Sequence, residues 1–251
     1  MTGVANSPIP QWLLRRPAED ARARIFCFPY SGMGASMFNR WPTAIGDVEV
    51  CAIQLPHREN RIRDPHFGTY ERLSEMLAEF LLPYLDRPAA FFGHCAGALP
   101  AFETARRLAE RGCPVPDRLV VSAQVAPHHC PHDRFLDCTD AELAEELTQL
   151  AIARGGQAHP ELIELSLAVL RRDLEASRVY RLPEPVTVPT RISVLQWADD
   201  PEVTVEELTG WRDYAEEVRF TVMAGGHYDF LTPPAELLDE LVLGLGEGGA
   251  R

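Results

Sequence analysis

Residues 91–108 read FFGHCAGALPAFETARRL: an apolar run stops at Gly-His-Cys-Ala-Gly and passes at once into a helical pattern. A cysteine bracketed by Gly93 and Gly97 at such a junction has the form of a nucleophile elbow. Small neighbours there let the chain turn sharply and lift the central side chain above a sheet. At the head of the following helix, backbone N–H groups and the helix dipole would favour a Cys95 thiolate. A nucleophile of this kind needs a base, and the base needs a group to orient it. His227, in MAGGHYDF, stands on a loop after the last strand-like run and is the candidate base. Asp199 and Asp200, in LQWADDPEV, follow the run before it and offer the acid; their positions alone do not choose between them.

Acyl chemistry at such a cysteine also needs donors for a developing oxyanion. The N–H of Ala96 is one, and the loop FPYSGMG (28–34) offers a second at Tyr30 or Ser31. That loop lacks the GxxxxGK and GxGxxG patterns of phosphate loops. His94, beside the cysteine on a tight turn, reads as structural. His128, His129 and His132, in APHHCPHD, suggest a metal by composition but match no common ligand spacing. Neither a bound metal nor an organic cofactor is expected.

Strand-like runs at 24–30, 48–56, 89–94, 118–124, 191–197 and 218–224 must position these groups. Most are continuously apolar, as strands of a parallel sheet covered on both faces are. Helical patterns fill 69–85, 97–112, 204–215 and 234–246, so the expected fold is an open α/β sheet. The order nucleophile, acid, histidine is that of the α/β-hydrolase triad. Residues 130–185 hold no strand-like run but two helical stretches, 139–153 and 159–180, separated by RGGQ (154–157). This interval is read as a helical lid inserted into a core made of residues 1–129 and 186–251.

The 251 residues are enough for one well-filled α/β domain, and 46% hydrophobic content marks a globular chain. With 37 acidic against 24 basic residues the formal charge is -13, which argues against nucleic acid or an anionic membrane as partner. The six cysteines form no CxxC pair, and the N-terminal stretch has no apolar run suited to a signal peptide or membrane span. A cytoplasmic location is expected.

The stretches FCFPYSGMGASMFNRWP, IQLPHREN, FFGHCAGALPAFETARRL, LRRDLEASRVY and VMAGGHYDF give the chain a clear resemblance to the type II, or external, thioesterases of nonribosomal peptide and polyketide synthesis, a branch of the α/β-hydrolase superfamily. The resemblance runs from about residue 25 to 230. It implies acyl-enzyme chemistry on groups carried as thioesters on the phosphopantetheine arm of acyl or peptidyl carrier protein domains, by a monomeric enzyme. The family's nucleophile falls on Cys95, its histidine on His227 and its acid on Asp200, with Val203 following; its oxyanion donors fall on the backbone of Tyr30 and Ala96. Three positions depart: the family usually has serine at 95 and glycine at the positions of His57 and Trp197. His57 could line the entrance and Trp197 could narrow the acyl pocket, neither with a catalytic role.

A cysteine nucleophile keeps the intermediate a thioester, still activated towards a second thiol, whereas water must be activated by the histidine. That chemistry suits transfer of an acyl or aminoacyl group between carriers, which is the second reading; hydrolysis is the first, because the family resemblance is broad. A non-catalytic carrier-binding module is the third. Binding an acidic carrier would call for a local basic patch, for which residues 106–112, HREN (57–60) with Arg61 and Arg63, and Arg171–Arg172 are candidates.

Overall fold

The structure, a computed structural model, describes residues 11–153 and 156–246. The first ten residues of the N-terminal stretch, half of the RGGQ break and the last five residues lie outside the described residues. Among the described residues one sheet holds seven strands: β1 (Ala23–Phe28), β2 (Ala44–Ile45), β3 (Val48–Ala52), β4 (Ala89–His94), β5 (Arg118–Ser122), β6 (Arg191–Trp197) and β7 (Val218–Met223). Their order is β2-β3-β1-β4-β5-β6-β7, all neighbours parallel except the short β2–β3 pair. Every residue of β1, β4 and β5 is buried, as their unbroken apolar runs require.

Parallel neighbours need crossovers, in which lie α1 (Tyr70–Leu81), α2 (Ala98–Glu110), α3 (Asp140–Ala153), α4 (Pro160–Val179) and α5 (Val205–Leu208), while α6 (Ala235–Val242) follows the last strand. Leu73, Leu77 and Leu81 of α1 and Leu99, Phe102 and Leu108 of α2 cover one face of the sheet around Phe26 and Phe91. Leu237 and Leu241 of α6 cover the other, with Met37, Phe38, Trp41 and Phe92. The expected helical insertion between β5 and β6 is present as α3 and α4, which share a small cluster of their own: Phe135, Leu143, Leu147, Leu170 and Leu174. Among the described residues no helix is long and apolar enough to cross a membrane.

The helix expected over 204–215 is shorter. The capping box Thr204–Glu207 starts α5, but the chain tightens into a 3-10 turn at Thr209–Tyr214. Trp211 Nε1 donates to the Gln124 carbonyl (2.7 Å) and Tyr214 reaches His128, so tertiary bonds outweigh local propensity there. The two-residue antiparallel β2 carries no sequence signal. β1 leads first to β3 on one side and then to β4 on the other. The β1–β4 junction is thus a topological switch point, where crevices open beyond the carboxyl ends of strands.

Candidate active site

Cys95 follows β4 in a 3-10 turn, Cys95–Gly97, that runs directly into α2. Its φ of 48° lies in the left-handed region, a strain on the order of 1–3 kcal/mol for a non-glycine residue. The flanking glycines make the turn possible. A Cβ on Gly93 would strike the Gly97 carbonyl and Ala98, and one on Gly97 would come within 2.6 Å of the Phe28 carbonyl. The same close approach presses the loop after β1, with Tyr30, against the elbow.

His227 lies in the loop after β7, and Asp200 in the loop after β6; Asp199 N–H donates to the Gly225 carbonyl (2.9 Å) and ties the two loops together. His227 Nδ1 donates to Asp200 Oδ2 at 2.9 Å, with both side chains buried. Asp200 Oδ1 accepts from the Glu202 N–H (2.8 Å), while Asp199 is exposed. A carboxylate only accepts, so the proton sits on Nδ1 and Nε2 presents its lone pair. Cys95 Sγ, an imidazole nitrogen and a Glu202 carboxylate oxygen lie within 4.8 Å of one another. Among the described residues this is where atoms able to ligate a cation converge; His128, His129 and His132 form no such group.

The expected thiolate is not favoured at rest. Burial pushes the Cys95 thiol well up, and the carboxylates of Asp133, Glu202 and Asp200 push the same way. The Ala96 N–H pulls it down by hydrogen-bonding the sulfur, but the single donor is outweighed. Asp133 and Glu202, which the sequence does not single out, are themselves pushed up by burial. Arg134 Nε pairs with Glu202 Oε1 (2.7 Å), and the rest of its guanidinium serves Glu146 and the Tyr228 hydroxyl. No spacing rule marks these groups: Glu202 is one more acid in ADDPEV, and Asp133 one of two in PHDRFLD.

His94 is buried beneath, stacked on Phe230 (3.8 Å between centroids) with its ring 4.5 Å from that of His227. Burial holds its pKa well down, so it is neutral. Trp197 lies in the core rather than against the main cavity: its Nε1 donates to Ser122 Oγ (2.9 Å), which is also 2.9 Å from His94 Nδ1. The three residues end adjacent strands and floor the site. His57 lines a separate depression with Arg63, His66 and Arg172.

The main cavity, about 740 Å³, opens between the lid helices and the loops after β1 and β7. Tyr30 and Tyr228 line it on the side of the loops after β1 and β7, Met33, Leu147, Leu150 and Leu170 give it an apolar wall, and Cys95, Glu202 and His227 are not among its lining residues. One buried cluster holds the lid to the loop that carries Tyr30. Asp173 on α4 takes two bonds from Arg58 (2.7 and 2.8 Å), one from His66 Nε2 (2.8 Å) and one from the Gly32 N–H (2.7 Å). Arg58 also donates to the Met33 carbonyl (2.9 Å). Although burial alone would raise it, Arg58, His66 and Gly32 hold Asp173 down to about 2.

Most arginines of the candidate basic patches are already paired: Arg106 with Glu103 and Glu110, Arg107 with Glu110, Arg61 with Asp64, Arg171 with Asp140, and Arg172 with Glu175. Their fields are largely cancelled at the surface.

The thioesterase domain family matches residues 23–242. A probable cadicidin biosynthesis thioesterase of Streptomyces griseus is 34% identical over 233 residues; the match covers 91% of this chain and 64% of that protein. The gramicidin S biosynthesis protein GrsT of Aneurinibacillus migulanus is 32% identical over 231 residues, 90% of each chain. The solved structure of the type II thioesterase BorB from the borrelidin biosynthetic cluster superposes with a TM-score of 0.81 at 28% identity, over 94% of this chain and 98% of that one.

Proposed function

Since the chain is a thioesterase, belonging to the thioesterase domain family of the α/β-hydrolase superfamily, we propose that it removes acyl groups held on the phosphopantetheine arm of carrier proteins, through an acyl-S-Cys95 intermediate. The observation that carries this reading is the array itself: a strained cysteine at the strand–helix junction, an imidazole nitrogen within 4.8 Å of the sulfur and of a Glu202 oxygen, and Asp200 bonded to the imidazole at Nδ1.

His227 Nε2 takes the Sγ proton as the sulfur attacks the thioester carbonyl, and Asp200 stabilises the imidazolium that forms. The N–H groups of Ala96 and Tyr30 receive the oxyanion. Collapse breaks the carbon–sulfur bond to pantetheine, whose thiolate takes the proton back from His227. In the second half water gives its proton to His227 and attacks the acyl-cysteine; collapse returns the proton to Sγ and releases the free acid. Because the thiol rests neutral, the thiolate forms only as the proton leaves for His227, and a misplaced base would stop the reaction.

Sulfur at position 95 favours a second reading. The acyl group on Cys95 remains a thioester, so a pantetheine thiol on another carrier attacks it more readily than water does, and the product would be a newly loaded carrier. Intact-protein mass spectrometry of the enzyme with a loaded carrier, with and without an empty second carrier, separates the two. Free acid without loading of the second carrier means hydrolysis; a Cys95 adduct that passes to it first means transfer. No adduct and no turnover over a broad acyl panel would overturn both.

A further inference from the structure

Glu202 and Asp133 have no task in the steps above, yet a Glu202 oxygen lies within 4.8 Å of the sulfur that would carry the acyl group, and the charge of Asp133 acts on the same sulfur. We propose that these two carboxylates receive the α-ammonium of an aminoacyl group bound to Cys95, which makes aminoacyl thioesters the substrate class. The assignment rests on the acyl-S-Cys95 reading.

Covalent geometry brings the α-nitrogen of an aminoacyl thioester to about 3–4 Å from the thioester sulfur, whichever way the Cα–N bond turns. A Glu202 oxygen lies within 4.8 Å of Sγ, so one position of that nitrogen can meet it at hydrogen-bond distance. Glu202 Oε2 faces His227 Nε2 at 3.5 Å, and in the tautomer whose Nδ1 donates to Asp200 that nitrogen has no proton to give it. Asp133 Oδ1 accepts from the Phe135 N–H (2.9 Å), but its Oδ2 is buried and has no partner. A buried carboxylate oxygen left without a donor is costly, and the three N–H groups of an ammonium would supply the one that Asp133 Oδ2 lacks and another to Glu202.

The charge balance points the same way. Asp133, Glu202 and Asp200 all act on the Cys95 sulfur. The nearby guanidinium, Arg134, meets Glu202 only at Oε1 and spends its other donors on Glu146 and Tyr228. Both acids are pushed up by burial, the mark of carboxylates that lack a sufficient counter-charge. A fatty acyl group would bury them further without a donor, and a carboxyacyl group would be repelled. The apolar wall of Met33, Leu147, Leu150 and Leu170 suits an apolar side chain.

The test uses isosteres. A carrier is loaded with leucyl, with 4-methylpentanoyl (leucyl without its amine) or with succinyl, and kcat/KM for unloading is followed by intact-protein mass spectrometry. A charge-assisted bond predicts leucyl over 4-methylpentanoyl by about 10- to 100-fold, and succinyl slowest. In Glu202→Gln and Asp133→Asn that ratio should fall towards one, whatever the absolute rates, so either variant suffices if the other fails to fold. Equal wild-type rates for leucyl and 4-methylpentanoyl would sink the assignment alone, as would a ratio kept in both variants. Turnover of none of the three, with no Cys95 adduct, would overturn the acyl-cysteine reading and this assignment with it.

Discussion

The inserted lid segment brings two aspartates towards the sheet, and their surroundings are opposite. Asp173 has both oxygens filled, by Arg58, His66 and the Gly32 N–H, and is held down to about 2. Asp133 has one oxygen filled and one with no partner, and burial pushes it up. The difference separates a carboxylate that fastens the lid from one that stands ready for something the folded chain does not contain. Polar groups in a stable interior are satisfied at once, whereas those of a binding site wait for the ligand and weaken the empty protein. Asp200 stands between the two: it is fully bonded, but to the imidazole beside Cys95.

The largest effect is expected at Asp200. Asp200→Asn keeps the shape but lets the amide donate to Nδ1, which turns the tautomer so that Nε2 carries the proton and cannot take one from Cys95. Turnover of a loaded carrier should fall on the order of 10⁴-fold, with the melting temperature little changed. A loss of less than tenfold would mean that Asp200 does not orient the base.

Asp173 should show the reverse pattern, a large loss of stability. Asp173→Ala leaves the Arg58 guanidinium buried and unpaired, which costs about 3–5 kcal/mol and is read from urea unfolding. Replacing both partners, Arg58→Met with Asp173→Leu, should recover much of that loss; failure to recover would show that the tie to Gly32 matters more than the ion pair. The acid side gives a second check. The folded carboxyl, at about 2, lies below its usual value, so its contribution is present above pH 4 and lost as pH falls towards 2. The shift corresponds to roughly 2 kcal/mol, and the acid limb of the stability curve should flatten by that amount in the double variant.

How far the two regions were legible beforehand follows from the same contrast. Gly93, Cys95 and Gly97 announce the elbow because sterics permit few residues there, and the unbroken apolar runs announce a covered parallel sheet. Chain order singles out His227, and position after β6 the two acids; the bond to Nδ1 distinguishes Asp200 from exposed Asp199. Nothing local marks Glu202, Asp133 or Asp173, because each acquires its surroundings only when segments far apart in the chain meet. Arg58 and Asp173 are 115 residues apart. The thiolate expected at Cys95 failed for a related reason: the helix start is visible in sequence, but the burial and the three carboxylates that outweigh it are not.

The resting protonation of Cys95 is directly measurable. With its pKa pushed well up, Cys95 should react slowly with iodoacetamide at pH 7, and its rate should rise about tenfold per pH unit through pH 9 without a plateau. Peptide mapping distinguishes it from half-buried Cys113 and Cys138. Glu202→Gln should raise the rate several-fold at a given pH by removing one negative neighbour, whereas a neutral substitution far from the sulfur should not. A plateau near neutral pH would show a preformed thiolate and would return weight to the helix start.

The smallest effect is expected at Asp133, and its sign matters more than its size. Its folded pKa lies above the unfolded value, so the folded state holds the proton longer and stability falls as pH rises between the two values. At pH 7.5 the buried charge is therefore a penalty. Asp133→Asn keeps an oxygen for the Phe135 N–H and removes the charge, so the protein should gain up to about 1 kcal/mol in urea unfolding while losing preference for leucyl over 4-methylpentanoyl. The gain should vanish at pH 3, where the wild-type carboxyl is already protonated. A loss of stability at pH 7.5 would make Asp133 a structural group like Asp173, and the contrast between the two aspartates would close.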